Sequence, residues 1–252
     1  MRILFLIFVS FFAFTDDHKS MYQPMYAEYS YCSQIVEDDD KAQEMFQATV
    51  AAWLKHATSF ENDISVSALF PIFTNEEMRG GSDFFFVTHG PSRSALGEFT
   101  EKMYALMGAD DNMPEAPFEC EDDSEAFQRV GPSSDDVQYD EFAVDYWPCT
   151  YDEGADPEKL RELQATFAKE HYANGAKGGY RFIYPGAGGP RGQGPDFWIS
   201  AGAPGLAARG ENSDIFWEKS YGSAAEGGCW VVLCCVCGWC WVCGVWCVVC
   251  VG

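Results

Sequence analysis

Basic residues are scarce in this chain of 252 residues: 16 lysines and arginines stand against 39 aspartates and glutamates, for a formal net charge of −23. A surface of this charge repels both phosphate backbones and anionic lipid headgroups. The composition therefore excludes a nucleic-acid-binding protein with a basic face, and it excludes attachment to a membrane through a polybasic patch. It is typical of a protein whose charge keeps it dispersed.

The sequence also lacks the motifs of common catalytic and metal sites. It has only four histidines, with no His-x-x-x-His spacing, and it has no Gly-x-Ser-x-Gly nucleophile motif. The glycine-rich stretch 186–195 lacks the Gly-Lys-Ser/Thr ending of a phosphate-binding loop, so we interpret it as a hairpin connection. We expect no metal site, and the sequence leaves open whether the protein is an enzyme.

The N-terminal segment 1–20 has the pattern of a signal peptide. Arg2 precedes an apolar run, 3–14, that has the length of a signal-peptide core and is too short to span a bilayer. We expect a secreted or periplasmic protein, with a buried terminal strand or helix as the alternative.

The C-terminal tail, 228–252, has an unusual composition. From Cys229 to Gly252 it contains no charged residue, and it holds eight of the eleven cysteines. Its length would suit a membrane anchor, whereas the irregular cysteine spacing matches no zinc motif. A translated G/T-rich simple repeat would have the same composition. Three interpretations of the tail stay open: a membrane anchor, a metal-binding tract and a translated repeat. We exclude the tail from the predicted core.

Between these ends the sequence contains an internal repeat with an offset of 117 residues. Tyr-x-x-Cys at 29–32 recurs at 146–149, Gln-Ala-Thr at 47–49 recurs at 164–166, and Phe-x-Glu-Lys-x-Tyr at 99–104 recurs at 216–221. Three blocks in the same order at one offset predict two copies of one unit, at 21–108 and 141–227, joined by an acidic linker at 109–140.

Hydrophobic periodicity predicts the same element order in both copies. The first copy has strands at 27–32, 64–73 and 83–88, helices at 40–56 and 92–107, and a fourth strand within 125–130. The second has strands at 144–149, 180–185 and 196–201 and helices at 156–172 and 206–221, with its fourth strand where the tail begins.

This βαββαβ order predicts an α+β fold made of two tandem ferredoxin-like repeats. Both helices of such a repeat cover one sheet face, and the other face here is rich in aromatic residues that need burial. We therefore expect the two sheets to pack face to face about a pseudo-two-fold axis within one monomer.

Over about residues 25–225 the chain resembles the dimeric α+β barrel superfamily, which includes antibiotic-type monooxygenases and haem-binding chlorite dismutase-like proteins. Cys32-Ser33 and Cys149-Thr150, each before an acidic helix start, look like uncharacterised tandem-barrel proteins of marine microbes. The resemblance implies a barrel, and it implies a small monooxygenase-type or haem-dependent oxidoreductase as one class of function.

The predicted site is the interface between the two sheets, which would bind a small apolar or aromatic molecule without a cofactor. A filled hydrophobic core is the alternative interpretation. The side chains expected to line the site are Tyr29, Tyr31, Phe84, Phe86, Tyr146, Phe197 and Ile199.

His89 and Tyr29 are the weak catalytic candidates for the oxidoreductase alternative, in which His89 is also the candidate haem ligand. Around the third strand the offset between the copies is 113 residues, as Asp83-Phe84 and Asp196-Phe197 show. Gly202 therefore replaces His89 in the second copy, as expected for one functional site in a duplicated fold.

Three cysteines lie outside the tail. Cys32 and Cys149 end equivalent strands, so the pseudo-symmetry could bring them together, and an exported protein would allow a disulfide there. At least one of the three, Cys120 included, would then stay unpaired or bond elsewhere.

Overall fold

The computed structural model describes residues 22–73, 81–134, 141–188, 194–220 and 244–251. Within them the strands are β1 (Gln23–Gln34), β2 (Ser65–Phe73), β3 (Phe84–Gly90), β4 (Phe118–Ser133), β5 (Glu141–Cys149), β6 (Gly179–Pro185), β7 (Phe197–Ala203) and β8 (Gly244–Val251). The helices are α1 (Asp39–Ala57), α2 (Arg93–Gly108), α3 (Pro157–Ala173) and α4 (Gly205–Ile215), and the π-helix Phe216–Ser220 continues α4.

The first three helices begin where the sequence supplies a capping side chain. Asp38 accepts a hydrogen bond from the backbone N–H of Lys41 at the start of α1, and Ser92 caps α2 in the same way. Asp156 caps α3, and Pro157 occupies its first turn, where a missing N–H costs nothing. These local signals are the reason that the predicted starts of the first three helices agree with the structure to within a residue.

All eight strands form one closed antiparallel barrel in the order β1-β3-β2-β8-β5-β7-β6-β4. The order β4-β1-β3-β2 of the first half matches the order β8-β5-β7-β6 of the second. The halves join edge to edge, β2 with β8 and β4 with β6, so the expected barrel is one continuous sheet and not two sheets packed face to face. Edge pairing satisfies backbone groups that separate sheets would leave exposed.

Matching contacts occur at the ends of β1 and β5. The N–H of Asp83 donates to the carbonyl of Cys32, and the N–H of Asp196 donates to the carbonyl of Cys149, both at 2.9 Å. Each aspartate also accepts a backbone N–H just beyond the strand, from Gln34 at 2.9 Å and from Tyr151 at 2.7 Å. The two halves therefore make the same backbone contacts at the ends of their first strands.

The pseudo-symmetry allowed a disulfide between Cys32 and Cys149, but the structure does not form it. Cys32 bonds to Cys120, its directly opposed partner on the neighbouring strand β4. Cys149 is buried at the end of β5, which is a different strand of the barrel. The fourth strand of the first half, which runs well beyond the predicted 125–130, is what places Cys120 beside Cys32.

Two hydrophobic clusters lie between the barrel and its helices. In the first half Phe84, Phe86 and Phe118 pack against Phe46 and Trp53 of α1. In the second half the corresponding cluster includes Leu160 and Ala165 of α3 together with Phe182, Phe197 and Ile199 of the sheet. The helices are therefore held by aromatic contacts on the outer surface of the barrel.

The tail contributes a strand that its composition did not predict. Gly244–Val251 forms β8 between β2 and β5, whereas we had expected the last strand where the tail begins. Residues 1–21 and 221–243 lie outside the described residues, as do the signal-peptide prediction and most of the tail. No helix in the described part of the chain combines the length and the apolar character needed to cross a membrane.

Candidate functional site

The inner wall of the barrel is aromatic along one side. Tyr29 of β1, Phe85 of β3 and Tyr146 of β5 belong to one cluster, with ring centroids 5.9 Å apart for Tyr29–Phe85 and 6.5 Å apart for Phe85–Tyr146. Tyr31 also contacts Phe85 at 5.8 Å, and Trp198 of β7 packs against the same cluster. This wall is the surface that an aromatic ligand inside the barrel would contact.

Three of the predicted lining residues, Tyr29, Tyr31 and Tyr146, lie on this wall. The prediction is wrong for Phe84, Phe86 and Phe197, and for Ile199, because these side chains face the helices. Their inward neighbours are Phe85 and Trp198. The segments Phe84-Phe85-Phe86 and Phe197-Trp198-Ile199 are apolar on both faces, so alternation could not tell inside from outside.

A polar cluster interrupts the apolar interior and joins the two halves. Nη1 of Arg181, on β6, lies 2.7 Å from Nε2 of His89, on β3, and donates to Oε1 of Gln128, on β4, at 3.2 Å. The Nε2 group of Gln128 donates to the hydroxyl of Tyr29 at 2.9 Å. Gln128 is completely buried, so these bonds satisfy an amide that water cannot reach.

The electrostatics of the cluster keep His89 neutral. Burial lowers the pKa of His89 well below 6.5, and the guanidinium of Arg181 lowers it further. A neutral ring can accept the Arg181 N–H at Nε2 and then carries its own proton at Nδ1. The cluster therefore holds one positive charge, on Arg181.

The two tyrosines near this charge remain protonated at neutral pH. Burial raises the pKa of Tyr29 and of Tyr146, and this effect outweighs the opposing attraction of Arg181. Neither tyrosine therefore supplies a negative charge to balance the guanidinium.

Within the described residues, no aspartate or glutamate forms an ion pair with Arg181. Two carboxylates of the barrel strands are used elsewhere, since Glu125 pairs with Arg93 at 3.2 Å and Asp145 pairs with Arg209 at 2.9 Å. The hydrogen bonds that Arg181 makes within the described part of the chain all use Nη1. The three N–H groups on Nε and Nη2 have no partner among these residues.

Sequence analysis identified His89 and Tyr29 but missed Arg181 and Gln128. One signal for Arg181 was present, because it is the only charged residue between the alternating aromatics Tyr180, Phe182 and Tyr184. A charged residue in such a strand usually faces solvent. Arg181 points inward because the closed barrel covers both faces of β6, one against the helices and one against the barrel interior.

The geometry does not fit haem ligation by His89. Iron needs the lone pair of a neutral imidazole nitrogen, but Nε2 of His89 lies 2.7 Å from a guanidinium nitrogen. His171 is only 3% exposed, and its ring stacks on Phe167 at 5.3 Å. His56 pairs with Asp110 at 3.1 Å. The described residues contain no cluster of three or more metal-ligating side chains.

Comparison with known proteins gives structural neighbours only. No protein-family model and no curated protein matches the sequence. A candidate monooxygenase from Fusobacterium nucleatum is 12% identical over 83% of this chain and 87% of its own, with a TM-score of 0.48. A chlorite dismutase mutant from Candidatus Nitrospira defluvii is 11% identical over 80% of this chain and 84% of its own, with a TM-score of 0.46. These neighbours belong to the ferredoxin-like α+β barrel superfamily, and no functional conclusion rests on similarities of this size.

Proposed function

We propose that this chain is a ligand-binding protein that holds a small aromatic molecule inside its barrel, between the aromatic wall and the polar cluster. The observation that carries the proposal is the polar cluster, whose four side chains come from four different strands: Arg181, His89, Gln128 and Tyr29. The cluster lies beside the aromatic wall of Phe85 and Tyr146. Apolar walls with a few convergent polar groups are typical of small-molecule sites.

The proposal includes an internal duplication. Each half of the barrel has an equivalent position for a ligand, and only one of these two positions has become the binding site. The strand register matches Arg181 with Ser67 and His89 with Gly202, while Tyr29 corresponds to Tyr146. Only one of the two places therefore has the guanidinium and the imidazole. One chain would then bind one ligand, as a monomer with an internal pseudo-two-fold axis.

We also propose that the protein is exported. The apolar run 3–14 behind Arg2 supports this, and so does the disulfide between Cys32 and Cys120, because structural disulfides persist in oxidising compartments. Cell fractionation of the tagged full-length chain tests the proposal. Recovery of the intact chain only from the cytoplasm would refute it.

The binding proposal is tested with a panel of small aromatic compounds and ligand-observed NMR saturation transfer. Trp198→Ala removes part of the wall and should abolish the transfer that the wild-type protein gives. Trp217→Ala is the matched control, because this tryptophan is 58% exposed on the π-helix outside the barrel. If no compound of the panel gives transfer to the wild-type protein, the binding proposal is wrong.

A second candidate is a cofactor-free oxidoreductase of the small monooxygenase type. The observation that favours it is the guanidinium of Arg181 inside the barrel, which would stabilise the anion formed when a bound quinol loses a proton. Oxygen uptake with a panel of quinols tests this activity, and uptake that persists unchanged in Arg181→Gln would count against it. The haem-dependent version is not part of this proposal, because Arg181 occupies the Nε2 position of His89 that an iron ligand would need.

A further inference from the structure

We propose that the ligand of the barrel interior is an aromatic carboxylate, bound through the free edge of the Arg181 guanidinium. This inference rests on the proposed function and names the chemical class of its ligand. It follows from two features of the polar cluster: the positive charge of Arg181, and the hydrogen-bond donors of Arg181 that have no partner in the described part of the chain.

The first feature is a positive charge without a counterion. Arg181 contacts the ring of His89 and the amide of Gln128, and it forms no ion pair with any described carboxylate. Arg181 is partly buried, and a cation that gives up part of its hydration to neutral groups regains only part of the lost energy through their hydrogen bonds. An anionic ligand supplies the missing charge, and a neutral ligand of the same shape does not.

The second feature is the geometry of the unused donors. The contacts of Nη1 are with His89, Gln128 and the sulfur of Met25, which leaves the N–H on Nε and two N–H groups on Nη2. Nε and Nη2 form one edge of the planar guanidinium, and two parallel N–H groups on such an edge match the two oxygens of a carboxylate. The neutral partners therefore fix the guanidinium and leave its carboxylate-binding edge available.

The surrounding groups favour an aromatic body on that carboxylate. Tyr29, Phe85 and Tyr146 form the neighbouring wall, and the two tyrosines are uncharged donors that do not repel an anion. Flat rings of this kind prefer offset or edge-to-face contact with another ring. The aromatic wall thus favours a ligand with an aromatic ring, and Arg181 favours a ligand with a carboxylate.

The test compares benzoate with benzamide, which has the same shape without the charge, by calorimetric titration of the full chain at pH 7.5. We expect the wild-type protein to bind benzoate at least about tenfold more tightly, since a bidentate charge-assisted contact exceeds a neutral one. Arg181→Gln should reduce this preference to about threefold or less, and Arg181→Lys should retain part of it. Arg93→Gln removes an exposed arginine that pairs with Glu125, and it should leave the preference unchanged.

The outcomes separate the two proposals. If benzamide binds as tightly as benzoate, and Trp198→Ala abolishes the binding of both, the ligand is aromatic but not anionic, so this inference is wrong and the proposed function stands. If neither compound binds and the wider aromatic panel also fails, both proposals are wrong. Near-ultraviolet circular dichroism of each variant establishes that the barrel is intact. If Arg181→Gln does not fold, Arg181→Lys replaces it in the test. An equal preference for benzoate in the wild type and in Arg181→Lys would then contradict the bidentate contact.

Discussion

Nη1 of Arg181 lies 2.7 Å from Nε2 of His89, although the two residues are 92 positions apart and belong to strands β6 and β3, which are not neighbours in the barrel. One strand comes from each half of the chain. The contact therefore crosses the β4–β6 joint between the halves, and it requires both halves to be folded and paired there. This makes the Arg181–His89 pair an indicator of that joint as well as the centre of the proposed site.

The pKa of His89 should rise when Arg181 is replaced by glutamine. Burial is the larger cause of the low pKa and persists in the variant, so the new value should stay below 6.5 while the repulsion from the guanidinium disappears. An NMR titration of the histidine ring nitrogens measures the change. Arg93→Gln is the control and should leave the His89 titration in place. An identical titration in Arg181→Gln would mean that the two side chains are not in contact.

Tyr29→Phe should destabilise the protein by about 1–3 kcal/mol, because it leaves a buried amide donor without an acceptor. The Nε2 group of Gln128 donates to the Tyr29 hydroxyl at 2.9 Å, and the Gln128 side chain has no exposed surface. Urea unfolding monitored by circular dichroism gives the difference. Tyr104→Phe is the matched control, since Tyr104 is 71% exposed on α2, and it should change stability by less than about 0.5 kcal/mol. Equal stability of the two variants would contradict the buried hydrogen bond.

Replacement of Cys32 and Cys120 by alanine should cost about 2–4 kcal/mol of stability in non-reducing buffer. Their disulfide closes a loop with a sequence separation of 88 residues, so its loss releases much conformational freedom in the unfolded chain. Reduction of the wild-type protein with dithiothreitol should lower the urea midpoint in the same direction. A double variant as stable as the oxidised wild type would show that the bond does not form in solution.

His171 should contribute a loss of stability in acid. Burial lowers its pKa from 6.5 to about 4, so the unfolded chain binds a proton there before the folded protein does. The contribution of the neutral ring is complete above about pH 6.5 and falls as the pH drops toward 4. Between these limits the wild type should lose roughly 2 kcal/mol more than His171→Gln. Urea unfolding at pH 7, 5 and 4 measures this difference, and parallel pH curves would exclude the effect.

The order of elements could be predicted because its signals are local. The alternation of Tyr29 and Tyr31 indicated β1, and helical periodicity over 40–56 indicated α1.

The candidate site could be predicted only in part, because it depends on which strands meet. Phe84, Phe85 and Phe86 are all buried, so periodicity could not identify Phe85 as the inward residue. Arg181 and Gln128 come together through the pairing of β4 with β6, a contact between the halves that no repeat within either half encodes. The composition of the tail likewise gave no indication that Gly244–Val251 would complete the barrel.

The location of the ligand tests the central claim most directly. We propose following the histidine ring nitrogens by NMR while benzoate is added to the wild-type protein at pH 7.5. The account predicts that the His89 signals shift with the dissociation constant found by calorimetry, while those of His56 and His171, which lie outside the barrel interior, stay in place. Benzoate binding that moves the His171 signals and leaves those of His89 unchanged would place the ligand outside the barrel and contradict the account.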